Sequence, residues 1–241
     1  MFNASLSTTA RRAVPADDPI PVFAPGWLAV LLTLDLAIIA AHVGPTVATM
    51  VGMPIDRPAF FNIGNDWTLG EIVNYASWVA LVGLMLWAYA QRREIVFIAL
   101  AVLFAYCLAD DSLQMHESNN LFLPAAIQDL GIPYYFLEIV YWLFAGSILI
   151  VPMALGWWRA SPPVRRAIVP LLALFGGVVI CAVAFDLVHS LAGHVDGDLG
   201  LGLSRVSGVF EDGGEMVFMS AMLAYAIGTF GPKPTATGTA L

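Results

Sequence analysis

The sequence predicts an all-α, polytopic membrane protein: a bundle of six transmembrane helices with both termini on the cytoplasmic side. Three observations carry this reading. The 241 residues are 59% hydrophobic and only 12% charged, where soluble domains carry about a quarter charged residues, and the mean hydropathy is +0.80. Six apolar stretches each reach the roughly 20 residues that cross a bilayer. The basic residues also alternate by connection. With six spans, Arg11, Arg12, Arg92, Arg93, Arg159, Arg165, Arg166 and Lys233 share one side, which is eight of the ten, and Arg57 and Arg205 lie opposite. Lys and Arg mark cytoplasmic connections, so the expected location is the inner (plasma) membrane.

The elements follow in order. Residues 1–25 are polar and Pro-rich, lack the apolar core of a secretory signal, and read as a disordered cytoplasmic tail. The transmembrane domain is expected over 26–231, and 232–241 as a second tail. Helix one is expected over Trp27–Met50, with Asp35, His42 and Pro45 inside it. Helix two follows over Leu69–Ala90, three over Glu94–Glu117 and four over Tyr134–Trp158. Helices five and six span Val164–Leu191 and Gly208–Phe230. The three extracytoplasmic connections are longer, acidic and punctuated by aromatics. They read as loops with room for short re-entrant or interfacial segments. Cys107 and Cys181 each sit inside an apolar run and read as buried small hydrophobes. A net charge of -8 argues against a nucleic-acid partner, which requires clustered cations.

The ionisable residues gather at the extracytoplasmic helix ends. Ionisable groups inside a bilayer are costly, so their presence asks for a functional account. Helix two begins with Glu71 and Asn74. Helix three ends with Asp110, Asp111, Ser112, His116 and Glu117, and helix four begins with Glu138. Helix five ends with Asp186 and His189, followed by His194, and helix six carries Glu211, Asp212 and Glu215. Residues three or four apart share a helix face, which pairs Asp186 with His189 and Glu211 with Glu215. At about 100° per residue, Asp110 and Glu117 coincide around helix three with His116 within reach, while Asp111 points the other way.

So many carboxylates together require protons, cationic partners or a metal. Arg57 and Arg205 cannot balance them, so one or two divalent metal ions are the economical solution. Carboxylate with imidazole suits zinc, iron or manganese, and an all-oxygen subset suits calcium. The expected metal residues are His116, Asp186, His189, Glu211, Asp212, Glu215, Glu71 and Glu138, with Asp110 or Glu117 as a further ligand or general base. Blander readings stand beside these. Glu71 and Glu138 suit the positive end of a helix dipole, His194 suits a solvated loop, and His42 suits a carbonyl freed by Pro45. Asp35, deep in helix one, reads as a polar contact between helices.

The order of the pieces resembles the alkaline-ceramidase-type superfamily of intramembrane metal-dependent hydrolases. Asp66-Trp67 followed by Glu71-x-x-Asn74 is similar to the start of one helix in that family. Ser112-x-x-x-His116 is similar to its Ser-x-x-x-His, and Asp129 could imitate an Asp that follows. The family's final His-x-x-x-His is replaced by Glu211-x-x-x-Glu215, and the family has seven helices rather than six. The resemblance implies zinc-activated water attacking a lipid amide or ester, with Ser112 stabilising the oxyanion. The leading expectation is therefore a membrane metalloenzyme that hydrolyses a lipid-like substrate, with membrane lipid as its partner. The alternatives are a di-iron membrane oxidoreductase, a cation or proton transporter, and a haem-binding subunit.

Overall fold

The computed structural model describes residues 18–53, 55–115 and 134–233. Among them the chain is helical and without strands, and six helices are long and apolar enough to cross a membrane. We label them α1 (Pro25–Met50), α2 (Leu69–Arg92), α3 (Ile95–Ser112), α4 (Tyr134–Arg159), α5 (Pro162–Ala192) and α6 (Gly197–Phe230). A 3-10 turn, Ala59–Phe61, lies between α1 and α2.

The α2–α3 turn is tight because Arg93 adopts a left-handed conformation (φ 59°) that reverses the chain after Arg92. Glu94 then accepts hydrogen bonds from the Ser161 amide (3.0 Å) and hydroxyl (2.7 Å), so the α2–α3 and α4–α5 turns are clasped at one end of the bundle. From there α2 and α3 pack along their lengths, and α4 leans on α3. α6 packs against α1, α2 and α5 and is the hub, with Met216, Met219, Met222 and Tyr225 buried. The Tyr225 hydroxyl donates to the Ala167 carbonyl at 2.7 Å.

Two boundaries and one helix interior differ from the sequence expectation. The segment after Gly197 is helical rather than a loop, so α6 has 34 residues. That gives a length of about 51 Å at 1.5 Å per residue, well beyond the roughly 30 Å hydrocarbon layer. Its glycines lower helix propensity yet let the end of α5 approach: a Cβ on Gly208 would meet the His189 ring at 3.3 Å. α5 in turn contains a π-helical stretch, Ile180–Phe185, directly before Asp186. Finally, part of the expected N-terminal tail is bound. Thr229 Oγ1 accepts from the Val22 amide (3.1 Å) and donates to its carbonyl (3.0 Å), and the Ala24 amide donates to Ala224. Residues 1–17 and 234–241 lie outside the described residues.

α4 touches α3 through Gly156, where a Cβ would stand 2.8 Å from the Val96 Cα. Gly156→Ala is expected to push the pair apart and destabilise the protein by about 1–3 kcal/mol. Gly146→Ala, on the same helix with nothing within 4 Å, is expected to be neutral or slightly stabilising. Thermal unfolding in detergent distinguishes the two.

Candidate functional site

At the end of the bundle opposite the clasped turns, the helices diverge around a cavity of about 460 Å³. Nine carboxylic side chains line it. The expected Glu71, Asp110, Glu138, Asp186, Glu211, Asp212 and Glu215 are joined by Asp66 and Asp111. Asp111 corrects the helical-wheel expectation. α3 ends one residue later, and the cavity wraps far enough around that end to receive both neighbours. Apolar residues, Trp78, Phe175, Val178, Val179 and Trp142 among them, line it as well. No Lys or Arg is among the described lining residues. Arg57 is instead fastened to His42, whose Nδ1 and carbonyl each lie 3.2 Å from its guanidinium, and Arg205 is exposed.

Several carboxylates are held from outside the cavity. Glu71 accepts from the Trp67 amide and, at 2.9 Å, from the Tyr75 hydroxyl. Tyr106 donates to Tyr141, which donates to Asp110 Oδ1, both at 2.7 Å. Asp110 is buried to 1% exposure, so this chain joins α4 to α3 at the cavity wall. His189 Nδ1 lies 2.9 Å from Glu211 Oε2. Sequence reasoning missed the three tyrosines, because an aromatic in an apolar helix looks like packing. The π stretch was equally hidden, although it supplies Ala182 and Val183 to the lining and π segments recur at functional sites.

His189 and His42 are placed differently from the expectation, while His194 is exposed, as expected. His189 does not line the cavity. It sits on the outer side of Glu211, where Gly208 leaves room for its ring. His42 Nδ1 takes the Ile63 amide (3.2 Å) rather than a carbonyl freed by Pro45, and His194 bonds the Ser190 carbonyl. Ser112 does not line the cavity either. Its hydroxyl donates to the Leu108 carbonyl of its own helix at 2.6 Å, as serines in apolar helices do when no better acceptor is near. His116, Glu117 and Asp129 lie outside the described residues. Among the described residues no three His, Cys, Asp or Glu side chains draw together into a chelating group. Asp35 is fully buried, and neither of its carboxyl oxygens has a hydrogen-bond partner among the described residues.

Tyr141→Phe removes both hydrogen bonds of the Tyr106–Tyr141–Asp110 chain. It is expected to cost about 1–3 kcal/mol, because it strips a buried acceptor of its donor. Tyr106→Phe in that background is expected to add little. Unfolding of the two single variants and the double variant gives the coupling as a double-mutant cycle.

No curated protein matches the chain, and no solved structure does. A family model described as a domain of unknown function, DUF8692, matches residues 26–228. That match takes in all six helices almost to the end of α6, and the chain belongs to the DUF8692 family.

Proposed function

We propose that this protein is an integral membrane metalloenzyme that hydrolyses an amide or ester of a lipid-like substrate at a divalent-cation site in the cavity. The carrying observation is that nine carboxyl side chains line one cavity together with large apolar residues such as Trp78, Trp142 and Phe175. The carboxyl groups suit a metal ion. The apolar residues suit the hydrocarbon of a substrate that lives in the membrane. Six spans with the basic residues on alternate connections support both termini being cytoplasmic. The cavity then faces the extracytoplasmic side of the inner (plasma) membrane.

A bound divalent cation supplies Lewis acidity and an activated water. The roles of the chain's own residues follow from their surroundings. Asp212 and Glu215 stand on the buried hub helix, Asp186 on α5, Glu138 on α4, Asp110 on α3 and Glu71 on α2, so the acidic lining joins five helices. Glu211 is oriented from behind by His189, in the manner of an outer-shell partner. Asp110, steadied by Tyr141 through Oδ1, is the candidate general base. Ile139 and Trp142 of α4 and Val178, Val179 and Ala182 of α5 all line the cavity, which supports an apolar substrate.

Elemental analysis of the detergent-purified full chain tests this reading. About one or two divalent ions per chain are expected, and Asp212→Asn with Glu215→Gln is expected to lose them. Hydrolysis of fluorogenic lipid amides and esters is expected to stop on chelation and to return on adding metal. A chain that neither retains nor binds any divalent metal would sink the proposal.

A further inference from the structure

Asp35 is not among the acids that line the cavity. It lies ten residues after Pro25, the first of α1, or about 15 Å along the helix. That is near the middle of a hydrocarbon layer roughly 30 Å thick. It is 0% exposed, and neither carboxyl oxygen has a hydrogen-bond partner among the described residues. An ionisable side chain at that depth calls for a functional account. Asp35 and Ile38 are the two buried residues of α1, so Asp35 stands where this largely exposed helix is seated on the bundle. The seat is α6. The Ala24 amide donates to the Ala224 carbonyl at 3.0 Å, and a Cβ on Gly213 would meet the Ile39 side chain at 3.1 Å. Asp35 falls between these two contacts, beside Ser220, which is 1% exposed.

The charged groups of the neighbouring elements lie elsewhere. On α1 the next ionisable residue is His42, which is fastened to Arg57. α6 carries Glu211, Asp212 and Glu215, all of which line the cavity. α2 touches α1 lightly; it has Glu71 at the cavity and Arg92 in its last turn. None of these acts on the Asp35 carboxyl, whose surroundings reduce to burial and the Ser220 hydroxyl. A carboxylate ion at this place would have neither a cation nor a donor in exchange for its water, and a group so placed stays neutral instead. We propose that Asp35 is an intramembrane proton-binding site, a carboxylic acid that keeps its proton while α1 is seated on α6 and releases it to water when α1 lifts away. Release leaves a carboxylate on Asp35 and the proton on water, and re-seating takes one proton back. The seat is continuous with the cavity, because Ile38 packs with Ile63 and Met216, and both of those line it. A proton on Asp35 thereby holds part of the cavity lining in place. The assignment stands independently of the metal reading.

The test compares the full chain in detergent with its Asp35→Asn variant, which keeps the side chain's shape and is neutral at every pH. In the unfolded chain an ordinary aspartate gives up its proton near about pH 4. A folded state that keeps this proton binds more protons than the unfolded one, so its stability falls as pH rises above that value. Asp35→Asn is therefore expected to differ least from wild type at about pH 4 and to melt several degrees higher at about pH 8. At neutral pH, infrared difference spectra are expected to show an acid carbonyl band in wild type that Asp35→Asn lacks. Hydrogen exchange of α1, scaled to the intrinsic rate, is expected to quicken from about pH 5 to about pH 8 in wild type and to stay constant in the variant. Wild type more stable than Asp35→Asn at neutral pH, by a gap that widens as pH rises, overturns the proposal. An acid carbonyl spectrum that the substitution leaves unchanged overturns it as well. Scaled α1 exchange that is independent of pH in both proteins removes the link to the seating of α1. If Asp35→Asn does not fold, Asp35→Ser is read in the same way.

Discussion

Nine carboxyl side chains share one cavity without a lysine or arginine among the described lining residues, and the surrounding structure is organised by that imbalance. Like groups crowded in a low-dielectric space repel, and the repulsion is met only by donors or cations. The protein places its donors on the outer side: the Trp67 amide and Tyr75 for Glu71, Tyr141 for Asp110, His189 for Glu211. Each steadies a carboxyl group from behind. The two arginines on that side of the sequence are kept out, one by His42 and the other by exposure. The described lining of the cavity is thus strongly acidic.

The same arrangement explains why the bundle is asymmetric. At one end the turns are tight and clasped through Glu94 and Ser161, and Phe97, Leu100, Leu171 and Phe230 form a dry core. At the other end the helices part around the acids. Contact there is kept by small residues rather than large ones. Gly214 lies so close to α5 that a Cβ would stand 2.6 Å from the Cys181 sulfur, which is how helices approach when lipid offers no hydrophobic drive between them. The π stretch at Ile180–Phe185 falls on the same part of α5. It widens the helix where the wall must turn from apolar Val178 and Val179 to Asp186.

The helices were legible because a run of some 20 apolar residues has few other uses. The acids were legible because an ionisable residue inside such a run stands out. Glu71, Asp110, Glu138, Asp186, Glu211, Asp212 and Glu215 were all singled out on that ground, and all meet at one cavity. What stayed hidden shares a different physics. Ile180–Phe185 is as apolar as any helical segment, so nothing in its composition marks a π turn. The glycines of 200–208 argue locally against a helix that long-range packing on α5 nevertheless stabilises. His189, expected as a ligand by residue type, found a nearer partner in a carboxyl group, while His42 takes an arginine and an amide and His194 a carbonyl. Asn74 was noticed beside Glu71, but that its Oδ1 has no hydrogen-bond partner among the described residues is something no sequence can display.

The hub helix α6 follows the other five in the chain, and this has a consequence for biosynthesis. The bonds that tie Val22 and Ala24 to Thr229 and Ala224 join residues about two hundred positions apart. While α1 to α5 are being inserted, α1 and α5 lack the surface they chiefly pack against, and α2 pairs mainly with α3. The cavity has one side missing throughout that interval. Glu71, Asp110, Glu138 and Asp186 must wait in the membrane or at its edge, served only by local donors and by water. The nascent protein therefore passes through a stage in which its most costly residues are the least sheltered, and emergence of one helix ends that stage for all of them together.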